Sequence, residues 1–173
     1  VSAGNTGAVV VAATLKLRLL EGVLRPGIAM VIPTQNPERP LILIDVGATV
    51  DCTAPMLVQF AAMGSVYARE IMGQTRPVVG LLSIGGEESK GNDITKEALR
   101  LLSASHLNFR GNVEGHDLFR GETDVVVCDG FVGNIVLKTA ESVAHAIGHW
   151  LKQELTQNVV RMAGALILRG ALR

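Results

Sequence analysis

Aromatic side chains are scarce: one Trp, one Tyr and four Phe make up 3% of 173 residues, so any core must be assembled from Ala, Val, Leu and Ile. Neither sign of charge is in excess, since 16 Lys and Arg balance 16 Asp and Glu, which argues against a nucleic-acid-binding role. There are only two cysteines, Cys52 and Cys128, far apart and both beside apolar runs. They read as reduced core residues of a cytosolic protein and not as a disulfide or metal framework. No apolar run approaches the ~18 residues that a spanning helix needs. The longest, Gly7 to Leu15, stops at Lys16, and no basic-then-apolar signal segment is seen.

What remains is a globular composition, 48% hydrophobic and 18% charged, long enough for one domain with a substantial core. Glycine is plentiful, at 19 residues, and most of it follows strand-like runs. The chain begins at Val1, in what reads as a strand end, and stops at Arg173 inside a helical pattern, so it reads as a fragment.

Near the start, Asn5 or Thr6 can cap a buried helix reaching about Glu21, with Gly22 near its end. Ile28–Ile32 reads as a short strand ended by Pro33, and Leu41–Gly47 as a buried one with Asp45 at its carboxyl end. Thr53 can cap the next helix, whose Leu57, Phe60, Ala61, Gly64, Tyr67, Ala68 and Ile71 recur on one face. A third strand, Pro77–Ile84, runs into the polar Gly85–Gly91 loop, and Asp93 can cap the helix that follows. After a short strand from Leu107 comes Asp124–Lys138: a valine run, a glycine turn and the start of a long helix. Such alternation predicts an α/β fold with a largely parallel, mixed sheet flanked by helices.

The polar residues cluster after the strand-like runs: Asn5, Asp45, Glu87, Glu88, Lys90, Asn112, Glu114, Asp129 and Asn134. In open α/β sheets the ligand crevice lies outside those carboxyl ends. Gly130 and Gly133 permit close approach, and the helix after them aims its N–H groups and positive dipole end at whatever sits beside the turn. The Asn5–Thr6–Gly7 turn has the same grammar, which suits an ordinary helix cap equally well.

Taken together, Ser2–Ala8, Asp45–Ala48, Asp51–Cys52, Gln59–Gly64, Gly85–Gly91, Gly111–Gly115 and Cys128–Asn134 resemble the phosphate acyltransferases of the PlsX type, along essentially the entire chain. The resemblance implies transfer of a fatty acyl group from acyl carrier protein to inorganic phosphate. The acyl phosphate then feeds phospholipid synthesis through a membrane glycerol-3-phosphate acyltransferase. It also implies an isocitrate/isopropylmalate dehydrogenase-like fold, a homodimer without a cofactor, and a cytoplasmic location with peripheral membrane contact. Residues 1–150 would be the α/β catalytic domain, incomplete at its N-terminus, and 151–173 a protruding amphipathic extension continuous with the last helix. The family's opening segment and its tail are missing, and Thr49 and Ser83 stand where Asn is usual.

The implied reaction needs a phosphate cradle, oxyanion donors and proton control. Lys90, Asp129 and Asn134 are the catalytic candidates. Gly4, Asn5, Thr6, Gly7, Asp45, Gly47, Glu87, Glu88, Asn112, Gly130 and Gly133 are the phosphate- or substrate-binding ones. Asp129 could hold a proton or orient Lys90, although its charge repels phosphate. No Ser or Cys with an adjacent His is evident, which favours direct transfer, with Cys128 as the alternative nucleophile. His145 and His149 share a helix face but lack a third metal ligand. Beyond Leu151, four basic residues face Glu154 alone, and Leu166, Ile167 and Leu168 make the helix apolar nearly all round, as a dimer or membrane contact would. A dehydrogenase of the related fold and a non-catalytic membrane- or carrier-protein-binding fragment are the alternatives.

Overall fold

The computed structural model describes residues 5–167; Gly4 and Leu168, both named above, lie outside them. Helix α1 (Thr6–Leu17) is followed by β1 (Ala29–Ile32), β2 (Leu41–Ile44), α2 (Ala54–Glu70), β3 (Val78–Leu82), α3 (Asp93–Ser103) and β4 (Asn108–Val113). A short 3-10 helix (Gly115–Phe119), β5 (Val125–Val127), α4 (Gly130–Leu155) and α5 (Val159–Ile167) complete the order. The chain divides into two compact units, Val1–Ile135 and Val136–Arg173.

In the first unit the sheet order is β1-β2-β5-β3-β4, with β1 antiparallel to β2 and the other pairings parallel. The expected mixed sheet is therefore present. Its central strand, β5, is three valines long and wholly buried. The register places Ile42, Val125 and Val79 in one row and Ile44, Val127 and Leu81 in the next. Alternation sends all six to one face. There they form a single cluster with Leu57, Phe60, Ala61 and Ala68 of α2 and Ala98, Leu99 and Leu102 of α3. Leu41, Leu43 and Val126, which alternate to the other face, are buried too. Burial on both faces explains why these runs are continuously apolar.

Aliphatic packing at this density depends on one missing side chain. A Cβ on Gly64 would lie 2.5 Å from Val125 Cγ1 and 3.3 Å from Ile44 Cγ2. The bare glycine lets α2 settle directly on β5.

Three details differ from the expectations. None of the residues of α1 is buried, and the helix ends at Leu17, where Arg18 takes φ 63°, short of Glu21. Its Val, Ala and Leu residues recur all round and not in one stripe, and Val11, Leu15 and Leu17 stay exposed. At α3 the cap is Asn92, whose side chain accepts the Thr95 N–H at 2.9 Å. Asp93 is instead the first helical residue, where its charge meets the positive end of the dipole. In the second unit, Leu155 ends α4 and Asn158 caps α5 by accepting the Arg161 N–H at 2.9 Å, so the helical extension is interrupted. No described helix is long and apolar enough to cross a membrane.

At the amino edge of the sheet, Asp124 joins three segments. Its buried carboxylate takes a bidentate pair from Arg39, with Nη2 2.8 Å from each oxygen, and accepts the Val78 N–H at 2.7 Å. Its backbone bonds Ile42 and Val78 as well. Removing one partner of such a pair strands the rest. Asp124→Ala is expected to lower unfolding free energy by about 3 kcal/mol, near the lower bound because Arg39 is partly exposed. Urea denaturation measures it, and a loss below about 0.5 kcal/mol, as surface substitutions give, would refute this role.

Candidate functional site

The carboxyl edge of the sheet is built around Asp45, which follows β2 and is completely buried. Its carboxylate accepts N–H groups from Ile28 at 2.9 Å, Gly47 at 3.2 Å, Ala48 at 3.0 Å and Thr49 at 2.7 Å. These four amides replace the water that burial removed. The loop can close this tightly because Gly47 adopts φ +135°, which a side chain would resist. Asp45 thus anchors the loop, whereas the sequence placed it among the ligand-binding groups.

The first turn of α4 is pressed onto this loop. The Gly130 N–H donates to the Thr49 carbonyl at 2.8 Å. A Cβ on Gly130 would come within 2.7 Å of that carbonyl oxygen and 2.8 Å of Asp45 Oδ2, and one on Gly133 would overlap the Asp45 carbonyl oxygen. Both glycines are therefore required by contact with the loop. Asp129 caps the helix: its Oδ1 accepts the Val132 N–H at 2.8 Å, and its carbonyl accepts the Gly133 N–H at 2.9 Å. The amides of Gly130, Val132 and Gly133, which the sequence offered to an anion, are engaged within the protein. Among the described residues the Phe131 N–H has no acceptor. Asn134 is exposed, lies beside Gly47, and makes no side-chain hydrogen bond among the described residues.

The second expected turn also resolves as a cap. Asn5 Oδ1 accepts the N–H groups of Gly7 at 2.9 Å and Ala8 at 3.4 Å, with Thr6 opening α1. After β3, the Glu87 carbonyl accepts both the Lys90 N–H and the Asn112 side-chain amide at 3.0 Å. Asn112 thereby ties the loop to β4. The side chains of Glu87, Glu88 and Lys90 are exposed, and no ion pair joins Lys90 to a described carboxylate.

Two concavities flank the Asp45 loop. An apolar groove of about 330 Å³ is lined by Gly7, Val10, Val11 and Leu15 of α1 together with Arg25, Ala48 and Thr49. A more polar cleft of about 400 Å³ is lined by Asp51, Thr53, Asn92, Thr95, Asp129 and Phe131. The structure therefore brings Gly7 beside the Asp45 loop, and that loop beside Gly130, Gly133 and Asn134. Lys90 lines neither concavity, although Asn92, two residues on, lines the cleft, and it shares no hydrogen bond or ion pair with Asp129 or Asn134 among the described residues. Thr53, Asn92 and Thr95 were not singled out as site residues. The Asn-Asp-x-Thr pattern of a capped helix facing the same edge was their signal.

The family model described as fatty acid synthesis protein matches residues 1–173, the whole chain. The chain belongs to this family. Among curated relatives, the phosphate acyltransferase of Pelobacter propionicus is 52% identical over 173 residues, covering 100% of this chain and 49% of that protein. That of Aquifex aeolicus is 50% identical, covering 99% and 50%. This fatty acid synthesis family chain thus spans about half the length of the relatives it matches. Solved structures share the fold: a phosphotransacetylase from Streptococcus pyogenes has a TM-score of 0.62 at 18% identity, covering 83% of this chain and 50% of that one. The EutD phosphotransacetylase from Staphylococcus aureus has a TM-score of 0.58 at 20% identity, covering 77% and 46%.

Neither cysteine of this family member is poised for covalent chemistry. Cys128 is buried with its thiol 3.4 Å from the Asp45 carbonyl, and burial, then the charges of Asp129 and Asp45, push its ionisation far up. Burial likewise raises the Cys52 thiol to about 11. The thiolate is the nucleophile, so both are inert near neutrality. Below the unfolded value of 9.0 both states keep the proton; above it the unfolded chain ionises first, so stability falls as pH rises towards about 11. Native protein at pH 8 is expected to resist iodoacetamide at both thiols, with labelling only in urea. Rapid native labelling of Cys128 would restore the acyl-enzyme route.

Proposed function

We propose that this chain carries the acyl-transfer crevice of an enzyme that moves a fatty acyl group from acyl carrier protein to inorganic phosphate. The observation that carries this reading is identity of 50–52%, along the whole chain, to proteins named phosphate acyltransferase. The isocitrate/isopropylmalate dehydrogenase-like layout remains part of it, supported by a mixed sheet with its cleft at the carboxyl edge. A dehydrogenase activity is disfavoured, since the matched proteins are acyltransferases and transacetylases by name.

In the reaction, an oxygen of hydrogen phosphate attacks the thioester carbonyl carbon. A tetrahedral oxyanion forms, the C–S bond breaks, and the leaving thiolate takes the phosphate proton, giving acyl phosphate and free carrier-protein thiol. Lys90, exposed and without an ion pair among the described residues, supplies positive charge for the phosphate. The Asn134 side-chain amide and the Phe131 N–H are the donors available to phosphate or oxyanion at the α4 end. Asp129 already caps α4, which favours a positioning role over that of a free base. The Asn5–Thr6–Gly7 turn and the Glu87–Glu88 loop border the same edge. The acyl phosphate would serve phospholipid synthesis through a membrane glycerol-3-phosphate acyltransferase.

Two apolar surfaces of the second unit support the assembly implied by this reading. Val143, Ile147, Trp150 and Leu151 are exposed on α4 at helical spacing, a stripe that suits a homodimer. Val159, Val160, Leu166 and Ile167 are exposed on α5 at spacings of one and seven residues, suiting peripheral contact with a bilayer from the cytoplasmic side.

A chimera tests the chemistry: the Pelobacter propionicus relative with its matching 173 residues replaced by this chain. It is expected to release carrier-protein thiol from acyl carrier protein only when phosphate is present, without NAD. Asn134→Ala should lower its kcat by about 10²–10³ with unchanged urea stability. No phosphate-dependent release would favour a non-catalytic binding module. In the same chimera, Leu166→Glu with Ile167→Glu should move protein from sedimenting vesicles to supernatant while thiol release continues. Unchanged sedimentation would count against α5 as the contact.

A further inference from the structure

At the sheet edge opposite the cleft, a second pocket has a composition that the acyl-transfer chemistry does not use. It encloses about 170 Å³ and is lined by Ser65 and Arg69 of α2, Thr75, Arg76 and Pro77 entering β3, and His106, Leu107 and Asn108 entering β4. Its lining residues carry two guanidinium groups, an imidazole, a carboxamide and two hydroxyls, and no carboxylate is among them.

Ser65 supplies an independent observation. It is 8% exposed, yet its hydroxyl has no hydrogen-bond partner. A buried polar group left unpaired is costly, and such vacancies in hydrogen bonding mark places where another group belongs. Arg76 forms no ion pair among the described residues, and Arg69 pairs only with Glu70, across an exposed contact at 2.8 Å. Asp124, at the start of neighbouring β5, is already matched by Arg39. The charge of Arg76 is thus without a compensating anion among the described residues, and that of Arg69 is met only at the surface.

We infer that this pocket binds a phosphoryl dianion, either inorganic phosphate or a small phosphate monoester, at a site separate from the acyl-transfer cleft. Guanidinium forks match phosphate oxygens in pairs, Ser65 and Thr75 add hydroxyl donors, and Asn108, whose amide donates one N–H to the Arg76 carbonyl at 3.3 Å, has a second to offer. The pocket's volume limits the ester to a few carbon atoms. Three segments meet there, the end of α2 and the entries to β3 and β4, so the bound anion would cross-link helix and sheet. A phosphorylated metabolite could in this way stabilise the fold without touching the cleft.

The histidine imidazole NMR signals of the purified chain test this, with His106 assigned by His106→Gln. Titration with inorganic phosphate, and separately with glycerol 3-phosphate, is expected to shift the His106 signal saturably and leave His145 and His149 in place. Sodium chloride at matched ionic strength should not do so. Arg76→Ala should weaken the effect about tenfold, the loss of one charge-assisted contact, and Arg69→Ala with Arg76→Ala should abolish it. Tighter binding of one probe identifies which form of the dianion the pocket takes. A shift reproduced by chloride, or unchanged in a double variant whose urea stability is intact, would overturn the proposal. Because the signal followed is His106 and not turnover, it is independent of whether the acyl-transfer reading stands.

Discussion

A buried carboxylate surrounded by backbone amides sets the geometry of the carboxyl edge. Asp45 cannot stay charged inside the protein without donors, and the donors nearest to hand are the amides of Gly47, Ala48, Thr49 and Ile28. Satisfying them curls the loop back on itself, and the curled loop presents the Thr49 carbonyl to Gly130. The seating of the first turn of α4 against the loop follows from that contact. The same loop lines the apolar groove through Ala48 and Thr49, and the residues that follow it, Val50 to Thr53, line the cleft.

Much of the sheet was legible because burial on both faces demands runs of β-branched and aliphatic residues, and Leu41–Ile44, Val125–Val127 and, but for Gly80, Val78–Leu82 supply them. The partnering of β5 between β2 and β3 was not legible, since nothing local in three valines says which strands they join. Arg39 and Asp124 pair across 85 residues, a separation at which composition carries no sign of contact. The first helix was misjudged for the opposite reason. An apolar sequence such as Val9–Val11 says that burial is favoured, not that a neighbour is present.

At the site, the positions were more legible than their roles. Asn5 and Asp129 were found because small polar residues before a helix are conspicuous, but a cap and an anion turn use the same residue types for the same amides. Only the hydrogen bonds separate them, and here both side chains are turned inward to the helix they precede. Gly130 and Gly133 were recognised as places of close approach, and the structure adds what approaches: the backbone of the Asp45 loop. Asn134 differs from all of these in keeping its amide unengaged among the described residues.

The sheet order has a consequence for how the chain acquires its structure. β2 and β3 do not pair with each other; each is hydrogen-bonded to β5, the last of the described strands in sequence. Until residues 125–127 arrive, the described strands form two separate ribbons, β1 with β2 and β3 with β4, each with an apolar edge waiting for a partner. Such long-range closure is slow, and it leaves edges open to other chains in the meantime. During synthesis the same order holds in time, so these five described strands become continuous only after β5, the shortest of them, has left the ribosome.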